Sequence, residues 1–509
     1  MKSHKEIKIG AILSYIIIIL NMLIGVVYTP ILTDNLGQSE YGLYSLISTV
    51  ISYLTILDFG FGNAIIIYTS KYIANKEEEK EQKLHGMFLI IYCIIGVVAG
   101  IIGTILTINI DILFSNTLTA NELYKAKILM IILTVNLILT FPLSIFSSII
   151  TAYEKFVFVK ILNIIRIILN PIIMLFLLKL GYKSIALVLL ITILNITTLF
   201  INFIYCKVKL KIKLKFGKID TILLKEILFY SVWLFLNSIM DKINWNLDQF
   251  VLGMVSGTIV VAIYSVAAQL NQMYLNFSVA ISGVLLPKVA QMEAKNASDK
   301  EFSDIFIKTG RIQFLVMALI LSGFILFGKE FINLLWVGPE YEKAYFIACI
   351  LMLSITIPLI QNVGLNIIQA KNQYKNRVKV LFLLSIFNIV ISVFLAKRIG
   401  ALGAALGTAI SELLGQVIFM NWFYYKKIHL DIPRFWKEIL KMFLPMSVVI
   451  IIGILIKIII PINTPLLLIG EICSYCMIYM LITLKFSINE YEKTMLKKPL
   501  EKILVKVRG

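Results

Sequence analysis

The feature that most constrains this chain is its succession of apolar runs, many of them 18 to 25 residues long. A helix needs roughly 20 apolar residues to cross the hydrocarbon core of a bilayer. No water is available there to the backbone, so only helices or closed barrels can span it. A barrel strand would read as about ten residues of alternating polarity, whereas stretches such as 14–20 and 88–102 are unbroken. The chain is therefore expected to be an all-α polytopic membrane protein. Its charged fraction of 15% falls well below the roughly 25% usual in soluble domains.

Fourteen spans are expected, over 9–29, 42–69, 85–108, 126–150, 158–178, 184–205, 226–247, 258–287, 311–328, 344–369, 378–396, 401–425, 439–460 and 465–486. An even number puts both termini on one side. Segments 1–9, 70–84, 151–160, 206–225, 288–311, 371–379, 426–441 and 485–509 hold 37 of the 48 lysines and arginines. The positive-inside rule then places both termini in the cytoplasm. It also accounts for the net charge of +19 through anionic lipid, with no call on nucleic acid. The first apolar run is too long for a signal sequence and has no cleavage site, so it reads as the first membrane helix. Lysines 207, 209, 211, 213 and 215 alternate with other residues. That period of two suggests a short strand or an interfacial ribbon on lipid headgroups.

The sequence repeats itself at an offset of 218–220 residues. Tyr44-Ser45 recurs as Tyr264-Ser265, Asn170 as Asn388, and Leu180-Gly181 as Ile399-Gly400. Ile150-Thr151-Ala152, ten residues after Pro142, recurs as Ile368-Gln369-Ala370, twelve after Pro358. The offset covers six spans, so the two halves share one orientation, as parallel repeats do. The organisation expected is a bundle over 1–205, a basic linker over 206–225 and a second bundle over 226–425. Two further helices over 426–486 and a cytoplasmic tail over 487–509 complete it. Two facing bundles suggest a cavity opening to alternate sides.

A charge at the centre of a membrane helix costs about 2.5–3.5 kcal/mol on insertion scales, so such residues are candidates for function. Asp58 lies in Leu57-Asp58-Phe59-Gly60-Phe61-Gly62-Asn63. Arg166 shares a helix face with Asn163 and Asn170. Asp241, Lys242 and Asp248 close the seventh span, and Glu412 sits in the twelfth. Gln269 and Gln272, with Tyr264 and Tyr274, have the makings of a sugar-facing wall; interhelical hydrogen bonding is the plainer alternative. The substrate-binding residues expected are Asp58, Asn63, Asn163, Arg166, Asp241, Lys242, Asp248, Gln269, Gln272 and Glu412. Asp58 with Arg166, and Lys457 with Glu471, are also possible structural ion pairs. The cysteines and histidines form no metal constellation, and Cys473 and Cys476 lack a second pair. Residues 323–329 nearly match a phosphate loop but lack its final Ser or Thr. No catalytic residue, metal or cofactor is expected, and energy would come from an ion gradient such as H+ or Na+, a substrate gradient or a partner protein.

The stretch Ile31-Leu-Thr-Asp34-Asn-Leu-Gly37-Gln-Ser-Glu40-Tyr41-Gly42-Leu-Tyr44-Ser45, followed by Leu57-Asp58-Phe59-Gly60-Phe61-Gly62-Asn63-Ala64, resembles the polysaccharide-exporter (Wzx-type O-antigen flippase) family. That family belongs to the multidrug/oligosaccharidyl-lipid/polysaccharide superfamily. The resemblance implies a V-shaped pair of bundles working by alternating access in a bacterial or archaeal plasma membrane. It implies no enzymatic activity. Its substrate would be an undecaprenyl-diphosphate-linked oligosaccharide, moved from the inner to the outer leaflet for O-antigen, capsule or similar polymers. Membrane lipids, and a polymerase or glycosyltransferases of the same pathway, are the expected partners. By position in the motif, Asp58 carries over as a cavity residue. A drug/cation antiporter of the same fold and a lipid II flippase are the alternatives. A membrane polymerase or ligase would need a larger outer loop than the under-20-residue loops expected here.

Overall fold

The computed structural model describes residues 2–217, 221–283, 285–371, 373–489 and 492–493. Parts of the expected linker (218–220) and tail (490–491 and 494–509) thus lie outside the described residues. Helix accounts for 89% of the described residues, and none of them is in a strand. The helices are α1 Lys2–Leu54, α2 Phe61–Asn75, α3 Glu78–Ile108, α4 Ile110–Phe114, α5 Ala120–Ala152, α6 Phe156–Lys179, α7 Ser184–Val208, α8 Thr221–Val255 and α9 Thr258–Gly283. They continue with α10 Leu286–Ala294, α11 Asp299–Glu330, α12 Lys343–Ile360, α13 Val363–Ala370, α14 Tyr374–Glu412, α15 Met420–Lys426, α16 Ile432–Ile459 and α17 Pro465–Phe486.

Among the described residues eleven helical stretches are long and apolar enough to cross a membrane. Two are double. Ile12–Asn75 is divided at Gly37, and Lys375–Lys426 at Ile399-Gly400, where the backbone leaves helical geometry. With α8, whose 35 residues rise about 52 Å at 1.5 Å each, the described residues hold fourteen segments of membrane-crossing length. The chain is an all-α polytopic membrane protein of two pseudo-symmetric six-helix bundles and two added C-terminal helices. The repeat reappears as backbone. Gly181 and Gly400 both take positive φ, +83° and +60°, where an L side chain is strained. Ala152 and Ala370 each end a helix, the first ten residues after Pro142 inside α5 and the second twelve after Pro358 in α12.

Several expected boundaries move for local reasons. The second span breaks at Thr55–Asp58, a 3-10 turn closed by left-handed Phe59 and Gly60. The span expected at 344–369 is two helices parted at Gln361-Asn362, just after Pro358. The ninth starts at Asp299 because Ser298 and Glu301 form a capping box there. The lysine ribbon is not a strand. Its first part finishes α7, and the rest is an irregular segment tied to α3 by Lys215 N to the Gln82 carbonyl (3.1 Å) and Lys215 Nζ to Glu79 (2.8 Å).

Contacts group the chain into two compact units, Met1–Val266 with Ser385–Thr408, and Ala267–Leu384 with Ala409–Gly509. In the first unit Glu40 is buried, and both Lys125 and Ser184 hydrogen-bond to it, joining α1, α5 and α7. Phe59 stacks on Phe235 of α8 with ring centroids 4.5 Å apart. Gly42 runs so close to α9 that a Cβ there would lie 1.9 Å from the Thr258 carbonyl oxygen.

In the second unit the anchor is Arg311, 4% exposed. Its Nε and Nη2 donate to the two oxygens of Glu492 at 2.7 and 3.1 Å. Nη1 donates to the Glu438 carboxylate and carbonyl, both at 3.1 Å, and Nη2 also to the Ser487 carbonyl at 2.8 Å. A planar guanidinium suits this bidentate geometry. It joins α11, α16 and the chain beyond α17. Arg311→Ala strands the Glu492 carboxylate, itself 3% exposed, and is expected to cost about 3–5 kcal/mol. Thermal unfolding of the purified protein in detergent should show a clear fall in Tm, and an unchanged Tm refutes the anchoring role.

Candidate functional site

Three polar clusters sit among apolar helices of the first unit. The first surrounds Arg166, in the middle of α6. Nη1 donates to Asn195 Oδ1 of α7 at 3.2 Å, and Nη2 to Asn163 Oδ1 one turn back at 3.1 Å. Asn195 Nδ2 in turn donates to Asn136 Oδ1 and Thr140 Oγ1 of α5, both at 2.9 Å. Arg166, Asn195, Asn136 and Thr140 line a cavity of about 470 Å³, with Asn21 of α1, Thr55 and Asn170 also on its wall. Asn170 Oδ1 is buried and has no hydrogen-bond partner. Among the described residues no ion pair forms on Arg166. Its positive charge is met only by amide dipoles, so an anion entering the cavity finds an uncompensated guanidinium with donors to spare.

The second cluster holds Asp58. Its Oδ1 accepts from Tyr92 OH of α3 at 2.7 Å, and the left-handed residues that follow break the helix beside it. Asp58 and Arg166 do not form an ion pair. Asn63 is exposed at the start of α2, and its backbone N–H donates to the Gly60 carbonyl at 3.2 Å.

The third cluster is built on Asp248 of α8, 3% exposed. Its Oδ2 accepts from Tyr264 OH of α9 and from Thr408 Oγ1 of α14, the latter at 2.7 Å. Oδ1 is buried and unpartnered. Beside it Ser392 Oγ donates to Asn388 Oδ1 at 2.8 Å, and Asn388 Nδ2 donates to Asn244 Oδ1 at 3.3 Å. The Ala404 carbonyl lies 3.4 Å from Ser392 Oγ. One carboxylate among hydroxyl, amide and carbonyl oxygens suits a proton or a hard cation.

The remaining expected residues are scattered. Asp241 accepts from Asn237 Nδ2 at 2.9 Å on its own helix, with Lys242 partly exposed next to it. Gln269, Gln272 and Glu412 belong to the second unit; Gln272 is exposed and bonds Asn276 at 3.3 Å. The tyrosines of the sugar-facing wall are buried. Tyr264 is spent on Asp248, while Tyr274 OH donates to the Met317 carbonyl at 3.2 Å and meets Thr356 Oγ1 at 2.9 Å. They serve interhelical bonding. Sequence reasoning missed Asn136, Asn195, Ser392 and Thr408. The signal was present for the first two, since each is an amide inside an aliphatic run.

The profile of the polysaccharide biosynthesis protein family matches residues 7–293, more than half of the chain. No curated protein matches the sequence. Among solved structures, lipid II flippase MurJ in an inward closed conformation is similar with a TM-score of 0.71 at 17% identity, covering 93% of this chain and 97% of that one. An inward-facing multidrug resistance MATE family transporter of the MOP superfamily gives 0.63 at 15%, covering 82% and 95%. A eukaryotic MATE transporter gives 0.54 at 15%, covering 86% and 100%. At such identities the likeness is one of fold. By its sequence, this chain belongs to the polysaccharide biosynthesis protein family, and it carries that family membership on the fold of MOP-superfamily transporters.

Proposed function

We propose that this protein is a flippase that moves an undecaprenyl-diphosphate-linked oligosaccharide from the cytoplasmic to the outer leaflet, for surface polysaccharide assembly. The observation that carries the reading is the cavity at Arg166, in a chain of this family. A sugar unit bears many hydroxyls, and each would lose its water in hydrocarbon at about 2–7 kcal/mol. Unaided crossing is therefore negligible. Amide groups such as those of Asn136, Asn170 and Asn195 replace that water, and a guanidinium offsets diphosphate charge better than an ammonium does; Asn163, bonded to Arg166, remains a proposed substrate contact. The prenyl tail needs no polar path and stays in lipid. Asp58, Asn63, Asp241, Lys242, Gln269, Gln272 and Glu412 remain proposed substrate contacts.

Transport by such a protein needs a driving force, and we assign it to an H+ or Na+ gradient acting at Asp248. Both termini are proposed to be cytoplasmic and the host membrane to be a bacterial or archaeal plasma membrane. Lipid II is the second reading, favoured by the extent of the likeness to MurJ. The polymerase and glycosyltransferases of the same pathway are the proposed partners.

In cells lacking the protein, lipid-linked sugar should accumulate facing the cytoplasm and surface polymer should disappear. Precursor that reaches the outer leaflet normally removes the flippase reading. Loss of viability with lipid II trapped inside selects the second reading. Arg166→Ala removes a charge-assisted bond worth about 1.5–3 kcal/mol, so export should fall roughly 10- to 100-fold with the protein still in the membrane. Arg166→Lys should restore only part of it, and Asp58→Asn should also reduce export. Full export from Arg166→Ala and Asp58→Asn together would remove the cavity assignment. Dissipating ion gradients should stop export by the wild type while precursor remains available, and Asp248→Asn should be inactive with gradients intact. Export that continues without any gradient contradicts the coupling.

A further inference from the structure

The buried face of α17 is polar for most of its length. Glu471, Tyr475, Tyr479 and Thr483 recur every fourth residue. Three of them have partners. Tyr475 OH donates to Ser322 Oγ at 2.7 Å, Tyr479 OH to the Leu315 carbonyl at 2.8 Å, and Thr483 Oγ1 to the Tyr479 carbonyl at 2.6 Å. Glu471 has none. It is 6% exposed, and both carboxylate oxygens are buried without a hydrogen bond.

The partner expected from the sequence is engaged elsewhere. Lys457 Nζ donates to Glu330 at 2.9 Å and to the Leu326 carbonyl at 2.5 Å, both on α11. The charged groups around Glu471 are few. From α16 it feels Lys457, and from α11 Glu330. Lys329 of α11 is turned to Glu342 at 2.9 Å. The π-turn Phe331–Trp336, also packed on α17, has no titratable side chain. On α17 itself the neighbours are Cys473, Tyr475 and Cys476. One lysine thus serves two carboxyl groups and is committed to the other one. A buried carboxylate with neither counter-charge nor donor costs several kcal/mol, and protonation removes that cost.

We propose that Glu471 is a proton-binding site whose charge state is read by Lys457. With the proton on, Lys457 rests on Glu330 and Leu326, the arrangement seen here. When the proton returns to water, the carboxylate draws the ammonium toward α17 and loosens its hold on α11. The site goes beyond the transport reading: its acid lies on the helices added after the repeat, and it needs no transported substrate.

The test is infrared spectroscopy of the full-length protein in lipid bilayers, following the carboxylic-acid C=O stretch as pH is raised. One acid band should be present at neutral pH, disappear in Glu471→Gln, and fade in the wild type at higher pH. At a fixed pH within that transition, Lys457→Met should enlarge the band by removing the cation. Glu330→Gln should shrink it by freeing Lys457. A merely structural glutamate would not produce these opposite changes. Spectra of wild type and Glu471→Gln that coincide across the titration overturn the proposal. So does a band that sodium removes at constant pH, which would make the ligand a metal cation. The conservative Glu471→Gln change keeps size and polarity, and an unaltered Tm confirms that the comparison is between folded proteins.

Discussion

Hydrocarbon offers no hydrogen bonds, and the rest of this structure depends on that. Every polar group carried into the bilayer must be satisfied by the protein itself or stand ready for a ligand. Along the backbone the demand produces helix almost everywhere. Among side chains it sorts residues into two kinds. Thr33, Thr104, Thr107 and Ser322 return their hydroxyls to a carbonyl one turn back and cost the helix little. Arg166, Asp248 and Glu471 cannot do so. Each has either a network of amides or an oxygen left bare. These exceptions are where chemistry can occur.

The same constraint explains how the helices meet. Without a hydrophobic force between helices in lipid, close packing and interhelical bonds must hold them. Gly42 against the Thr258 carbonyl is the first device, and Glu40 with Lys125 and Ser184 is the second. Arg311 adds a third by locking the chain beyond α17 onto α11 and α16. Its five donors are nearly all used, which is what makes a buried guanidinium tolerable.

Much of the fold was legible in the sequence because it follows from one-dimensional facts. Span number comes from run length, and the duplication from an offset that tertiary structure does not alter. Gly181 and Gly400 kept their conformation as well as their spacing. The breaks at Thr55–Asp58 and at Gln361-Asn362 were harder, since glycine and proline mark only where a helix can yield. Pairing was not legible. Arg166 chose Asn195 over Asp58, and Lys457 chose Glu330 over Glu471. Each choice depends on which helix faces which, and hydropathy does not record that. The lysine alternation at 207–215 misled for a related reason. A period of two makes a strand only where a second strand can pair with it, and here Lys215 finds only the carbonyl of Gln82 on helix α3.

The duplicated asparagines have a consequence of another kind. Asn170 lines the cavity of Arg166, and its repeat mate Asn388 belongs to the cluster of Asp248. The ancestral position has thus come to serve a cation in one half and an acid in the other. A transmembrane voltage acts on charge at about 2.3 kcal/mol per elementary charge per 100 mV. With Asp248 ionised, the field pushes these two charges, both carried by the first unit, in opposite directions. Equal charges would have been pushed the same way; unlike charges let a voltage act as a couple within that one unit, between α6 and α8.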